Sequence, residues 1–284
     1  MSNLNLERRG ALAIASAAII WGFWGVAVHF SHLPGTQAAC ISILAVGLLA
    51  APTLPRRFPR GWAAWWPLLA TGVTDALNSV LYFSALERGP VAVAVLAHYL
   101  APILIALLSP LLLRQWPARR VIVALPVALV GLGLLLGNQA LSLGNAATTA
   151  LLAAASAVFY AIQVLIQKRS GDVLTSAELL VWHALIAGVL LLPFALTYPA
   201  PALAGAAWIL GGAFLGGVIG GSVFLWGLKH ITAAKAGVLT YLEPAVGVAA
   251  GVFILGDPLA PLAPVGALLV LGAGLWVLRT PTSA

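Results

Sequence analysis

Asp75, Asn78, Ser79 and Tyr82 stand at offsets of 0, 3, 4 and 7, so a helix would carry all four on one face. Two kinds of chemistry suit such a face: hydrogen bonding to a polar solute, and proton carriage by the Asp75 carboxyl. The alternative is a buried polar group that fastens two helices together. Glu243 precedes Pro244, which removes a backbone donor beside it. This second carboxyl either titrates as the protein works or stabilises a helix break. His98 could change charge near neutral pH, or stay neutral and bonded to a neighbouring helix. Trp21 and Trp24 share a face, and Tyr160 and Gln163 repeat that spacing. With Tyr82, Tyr99 and Tyr241 they would make a ring-walled lining, suited to planar apolar groups and to cations. The competing reading for the tryptophans is an interfacial belt, which fits Trp62, Trp65, Trp66, Trp116 and Trp208 better.

What surrounds these residues fixes their setting. Of 284 residues, 62% are hydrophobic and only 7% charged. So few charges could not cover the surface of a soluble domain of this size, where about 25% is usual. The composition excludes an ordinary soluble enzyme, a disordered chain and a nucleic-acid-binding protein, although the net charge is +7. The chain reads as an all-α integral membrane protein embedded in a lipid bilayer. Apolar runs such as Ile103–Leu108 do not alternate, so membrane-spanning strands are excluded.

Ten apolar stretches have about the length a crossing requires: 10–32, 36–52, 62–86, 90–113, 119–137, 145–167, 177–196, 205–228, 232–255 and 261–279. The first is read as a retained span rather than a signal peptide. With ten spans, all but one of the 14 lysines and arginines fall on the side of both termini, Arg57 among them, and Arg88 falls on the other. The excess marks the terminal side as cytoplasmic. Lys235 lies near that side and is expected to snorkel towards the interface.

The chain also aligns with itself at a shift of 142. Trp66, Tyr99 and Pro102 then fall on Trp208, Tyr241 and Pro244. This predicts two five-helix halves, 1–140 and 141–284. Five crossings are odd, so the second half would be inverted, an architecture suited to alternating access around a midplane site. The shift sets Asp75, Asn78 and Ser79 on Gly217, Gly220 and Gly221, either to leave room for a solute or to let helices pack closely. Pro102 and Pro244 are candidate bending points. Gly131, Gly133, Gly272 and Gly274 suit helix contacts, within a monomer or a homodimer.

Ile20-Trp21-Gly22, the short link Glu87–Pro90, and Leu239-Thr240-Tyr241-Leu242-Glu243-Pro244 followed by Leu255-Gly256-Asp257 carry a resemblance over nearly the whole chain. The sequence resembles the drug/metabolite transporter superfamily, of the ten-helix EamA type. Relatives read Leu-Gly-Glu where Asp257 stands here, and many carry an Arg early in the second span, where this chain has Ala39-Cys40-Ile41-Ser42. The resemblance implies that spans 1, 3, 4, 6, 8 and 9 surround a central cavity and that spans 2, 5, 7 and 10 lie outside, His183 with them. His98-Tyr99-Leu100-Ala101-Pro102 is similar to the fourth span of bacterial aromatic amino-acid exporters (the YddG type), with Ala101 in place of a Trp.

The expected function is therefore secondary export of amino acids, aromatic or otherwise neutral, across a bacterial inner membrane. Efflux of drugs or other metabolites is the alternative. No ATP-binding loop, cofactor motif or metal spacing appears. An intramembrane hydrolase built on Ser222 would need a histidine in contact, and the elbow Gly-x-Ser-x-Gly is missing because Phe224 occupies its last position.

Overall fold

A computed structural model describes residues 3–56, 58–137 and 145–279. The boundary between the two expected halves, at 140/141, and Arg57 lie outside the described residues. Within them every regular element is helical. In hydrocarbon a helix satisfies its own backbone groups, and runs this apolar have no other way to cross.

Prolines and left-handed residues punctuate the chain. The first rod is α1 (Asn3–Gly22) and α2 (Trp24–Ser31), broken at Phe23. Pro34 leads into α3 (Gly35–Ala50), and α4 covers Trp62–Arg88. Pro90 opens α5 (Val91–His98), which breaks at Tyr99 and continues as α6 (Ala101–Leu113). Then come α7 (Arg119–Leu136), α8 (Ala146–Ser170) and α9 (Ser176–Ala195). A capping box starts α9: Thr175 Oγ1 accepts from the Glu178 N–H, and Glu178 accepts from the Thr175 N–H at 2.8 Å. α10 (Leu203–Gly212) runs through a π-helical stretch, Ala213–Gly220, into α11 (Gly221–His230). α12 (Ala233–Thr240) breaks at Tyr241 before α13 (Leu242–Ala250) and a π-helical end at Gly251–Leu255. α14 is Ala263–Leu278. Gly256, at φ +77°, ends the α13 rod in the left-handed region, and the Asp257 N–H closes back on the Gly251 carbonyl at 3.0 Å.

Among the described residues, eight helical stretches are long and apolar enough to span a bilayer, as in a multi-pass membrane protein. α14 is apolar but has only 16 residues. α4 has 27 residues, and Thr71, Thr74, Asp75, Asn78 and Ser79 dilute its hydropathy. α3 lies along α9, α7 along α14, α4 along α8, and α1 along α11.

Candidate functional site

Three cavities meet at one side chain. Trp21 borders a large cleft of about 950 Å³ and two inner chambers of about 230 and 210 Å³. Its place is fixed from two sides. The indole N–H donates to the Gly216 carbonyl at 2.8 Å, and the ring lies 4.9 Å from that of Phe224. A side chain at Gly220 would collide with the indole nitrogen, and one at Gly212 with the ring of Trp24. The glycine-rich face of α10–α11 thus seats the two tryptophans. The close-packing reading of these glycines holds for Gly217 too, where a side chain would meet Val46. Gly217 and Gly221 nevertheless also border the Asp75 chamber.

That first chamber gathers Asp75 from α4, Tyr160, Gln163 and Gln167 from α8, and His183 from α9. His183 Nε2 approaches Asp75 Oδ2 at 3.5 Å, while its Nδ1 faces the Leu179 carbonyl. A carbonyl only accepts, so Nδ1 carries a hydrogen. A neutral His183 would then turn a lone pair towards Asp75. Two lone pairs repel, so a proton on the imidazole or on the carboxyl would turn this approach into an attractive one.

The second chamber gathers Asn78, His98, Tyr99, Ala101, Pro102, Tyr160, Thr240 and Glu243. His98 is 2.8 Å from Ser156 Oγ, whose own hydrogen goes to the Ala153 carbonyl at 2.7 Å. The hydroxyl therefore accepts from His98 Nδ1–H, leaving Nε2 as an acceptor. The imidazole packs against Tyr82 at 4.4 Å and Tyr160 at 5.5 Å. Tyr99 shares this chamber with Glu243. Its carbonyl, freed where the helix breaks, accepts from the Tyr241 hydroxyl at 2.7 Å. Asn78 Oδ1 and Gln163 Oε1 are buried and accept no hydrogen bond from a described residue.

Glu243 also borders the large cleft, with Trp24, Phe23 and Trp208. The cleft runs between the α1–α2 junction and the face of α10 with its π-helical continuation. At the opposite end of the first rod Lys235 Nζ meets Glu7 at 2.9 Å and joins α1 to α12.

The comparisons with known proteins follow this geometry. The EamA-like transporter family matches residues 8–137 and again residues 147–279. The chain belongs to that family. An uncharacterized transporter of Archaeoglobus fulgidus is 25% identical over 208 residues, covering 73% of this chain and 74% of its own. A solved crystal structure, described only as that of a protein, shares the fold with a TM-score of 0.80 at 20% identity, covering 94% of this chain and 96% of its own.

In this EamA-like transporter, Trp21, Asp75, Asn78, His98, Tyr99, Pro102, Tyr160, Gln163 and Glu243 meet around the two inner chambers, and Trp24 lines the cleft. Tyr82 stands behind His98. Ser79, Tyr241 and Pro244 border none of these three cavities. Ser79 and Pro244 are buried, and Tyr241 serves as a strut. Three expectations are corrected. His183 is not peripheral but buried against Asp75. α3 and α9 are not outside, because Ser42, Ile43, Val46, Leu180 and Ala184 wall the first chamber. Lys235 does not reach the interface; it is 2% exposed and paired with Glu7, its charge met inside the protein. Sequence reasoning missed His183 and Gln167. An ionisable group in mid-span was the signal for the first, and the Gln163/Gln167 spacing of four for the second. Among the described residues, Ser222 hydrogen-bonds no histidine.

Proposed function

We propose that this protein is a secondary transporter exporting small amine-bearing solutes with planar apolar groups, neutral and aromatic amino acids foremost, across the bacterial inner membrane. The observation carrying this reading is the lining of the inner chambers: two carboxyls, Asp75 and Glu243, among rings, with no lysine or arginine among the described lining residues. Such a site favours an ammonium group. Asn78 and Gln163 offer further buried acceptors.

In this reading all ten helical rods cross the membrane as two inverted halves, with both termini cytoplasmic. The double family match and the meeting of repeat mates Tyr99 and Tyr241 at 5.6 Å between ring centroids support it. The cleft then faces outward and the Glu7–Lys235 end is the closed cytoplasmic side. Gly131 packs against Gly266 within the chain, which accounts for the α7–α14 contact without a second copy.

Counterflow into proteoliposomes of labelled Phe, Trp and Leu tests the substrate class, and no exchange of any amino acid would reject it. Drug or metabolite efflux is the second reading. It draws on the cleft, whose roughly 950 Å³ of apolar wall ends at Glu243 and exceeds the needs of an amino acid. Lipophilic cations that bind where amino acids do not would decide for it.

A further inference from the structure

A fourth cavity, of about 590 Å³, lies apart from these chambers, at the end of the molecule that bears Glu7 and Lys235. It is walled by Arg114, Gln115, Lys168, Arg169, Asp172 and Lys229. Three helices end here, α6, α8 and α11. Helix C-termini leave carbonyls unpaired, and the cations answer them. Lys168 donates to the Leu228 and Lys229 carbonyls at 2.8 and 3.0 Å, Lys229 to the Leu174 carbonyl at 2.8 Å, and Arg169 to the Leu112 carbonyl at 2.9 Å.

That capping does not use up the charge or the donors. Four cations face the Asp172 carboxylate, with Glu178 also near Lys229, and about half a unit of negative charge at each helix end. Each lysine keeps at least one ammonium hydrogen, and Arg169 keeps most of its fork. The Arg114 side chain makes no hydrogen bond to a described residue, though its backbone is set in the left-handed region at φ +55° by the end of α6. Beside the cavity, α6 and the following link expose Leu107, Leu111 and Trp116, at 66%, 78% and 80%. An apolar, indole-marked flank next to a cationic hollow matches an acyl chain lying beside its headgroup.

We propose that this hollow binds a phosphate group, carried by an anionic phospholipid headgroup whose acyl chain lies on the Leu107–Leu111 face. Arg114, Arg169 and the two lysines supply the donors. Holding the ends of α6, α8 and α11 together, the bound lipid stabilises the conformer in which that end is closed.

Thermal unfolding of the detergent-purified protein tests this with three additions: phosphatidylglycerol, phosphatidylcholine and inorganic phosphate. The expected result is a rise in Tm with phosphatidylglycerol alone. Arg114→Gln, which breaks no bond in the structure, should weaken the half-maximal lipid concentration about fivefold, one basic residue's share of headgroup attraction. An equal effect of inorganic phosphate, weakened likewise in Arg114→Gln, would keep the phosphate site and remove the lipid. Equal shifts with phosphatidylglycerol and phosphatidylcholine, or an unchanged response in both Arg114→Gln and Lys229→Gln, would overturn the proposal.

Discussion

Asp75 and His183 illustrate how a fixed tautomer constrains a site. Because the Leu179 carbonyl claims one ring hydrogen of His183, a proton held by either partner would join the other nitrogen to the Asp75 carboxyl. A solute ammonium arriving near Asp75 could displace that proton, and its departure would restore it. Counterflow by the wild type should therefore change with pH, and Asp75→Asn and His183→Gln should each flatten the profile. A wild-type profile in both variants would exclude the pair from coupling. Glu243 is placed differently, between the second chamber and the cleft. If it meets the ammonium directly, Glu243→Gln weakens solute affinity about ten- to a hundredfold, the worth of one charge-assisted hydrogen bond at about 1.5–3 kcal/mol. Equilibrium binding of labelled Trp measures it, and an unchanged affinity would move the ammonium site to Asp75. The serine beside His98 shows why burial alone does not make a binding group. Ser156 spends its hydrogen on Ala153 and its lone pair on the imidazole, so it orients His98 and has little left for a solute.

At the scale of elements, glycine and proline do opposite work. The glycines of α10–α11 allow the first rod to approach, and Trp21 and Trp24 fill the space that their missing side chains leave. Gly220→Ala puts a methyl 2.9 Å from the Trp21 indole nitrogen, so the ring must move and its bond to the Gly216 carbonyl is strained. Overpacking of this kind costs about 1–3 kcal/mol, and thermal unfolding should show a clear fall in Tm. Gly211→Ala is the control, since no atom lies within 4 Å of the added carbon. If both glycines tolerate Ala equally, the seating argument fails. The prolines act where helices stop. Breaks at Tyr99 and Tyr241 precede Pro102 and Pro244 and bring two tyrosines 142 residues apart into contact. Much of this was legible beforehand. Apolar run lengths gave helices close to the observed bounds, and the shift of 142 paired the tyrosines. The residues around Trp21 were found because polar and ring-bearing groups in mid-span are conspicuous there. Legibility failed where tertiary packing decides. No spacing along α9 tells which of its faces meets α4, so the sequence does not correct the outer position that the resemblance implies for His183. Nor does a lysine near a span end reveal that a glutamate 228 positions away will hold it inside. The π-helical stretches carry no spacing signal either, since glycine-rich runs fit several helical windings.

For the whole molecule, the ties between helices are spread unevenly along its length. Near α2 and α10 the walls part into the apolar cleft. At the far end Glu7 and Lys235 join the first rod to the start of α12, with lysine side chains at 3% exposure and the carboxylate at 13%. A pair this buried is nearly neutral in net stability but costly to break from one side, about 3–5 kcal/mol, because the remaining charge is stranded. Removing both partners avoids that cost and leaves the closure weaker. Glu7→Gln combined with Lys235→Gln should therefore fold, and should shift the population towards a conformer open at the terminal side. A cysteine placed at Thr240, which borders the second chamber, reports this in a Cys40→Ser background. In vesicles of known orientation, a membrane-impermeant maleimide should label it faster from the terminal side once both charges are gone, and more slowly from the cleft side. Opposite changes on the two faces are what separates a shift between two closed-ended states from simple loosening, which would raise labelling on both. Unaltered rates would mean that the ion pair holds the fold together but does not set the balance of states, and the gate would then lie with the carbonyl-capping lysines at the ends of α8 and α11.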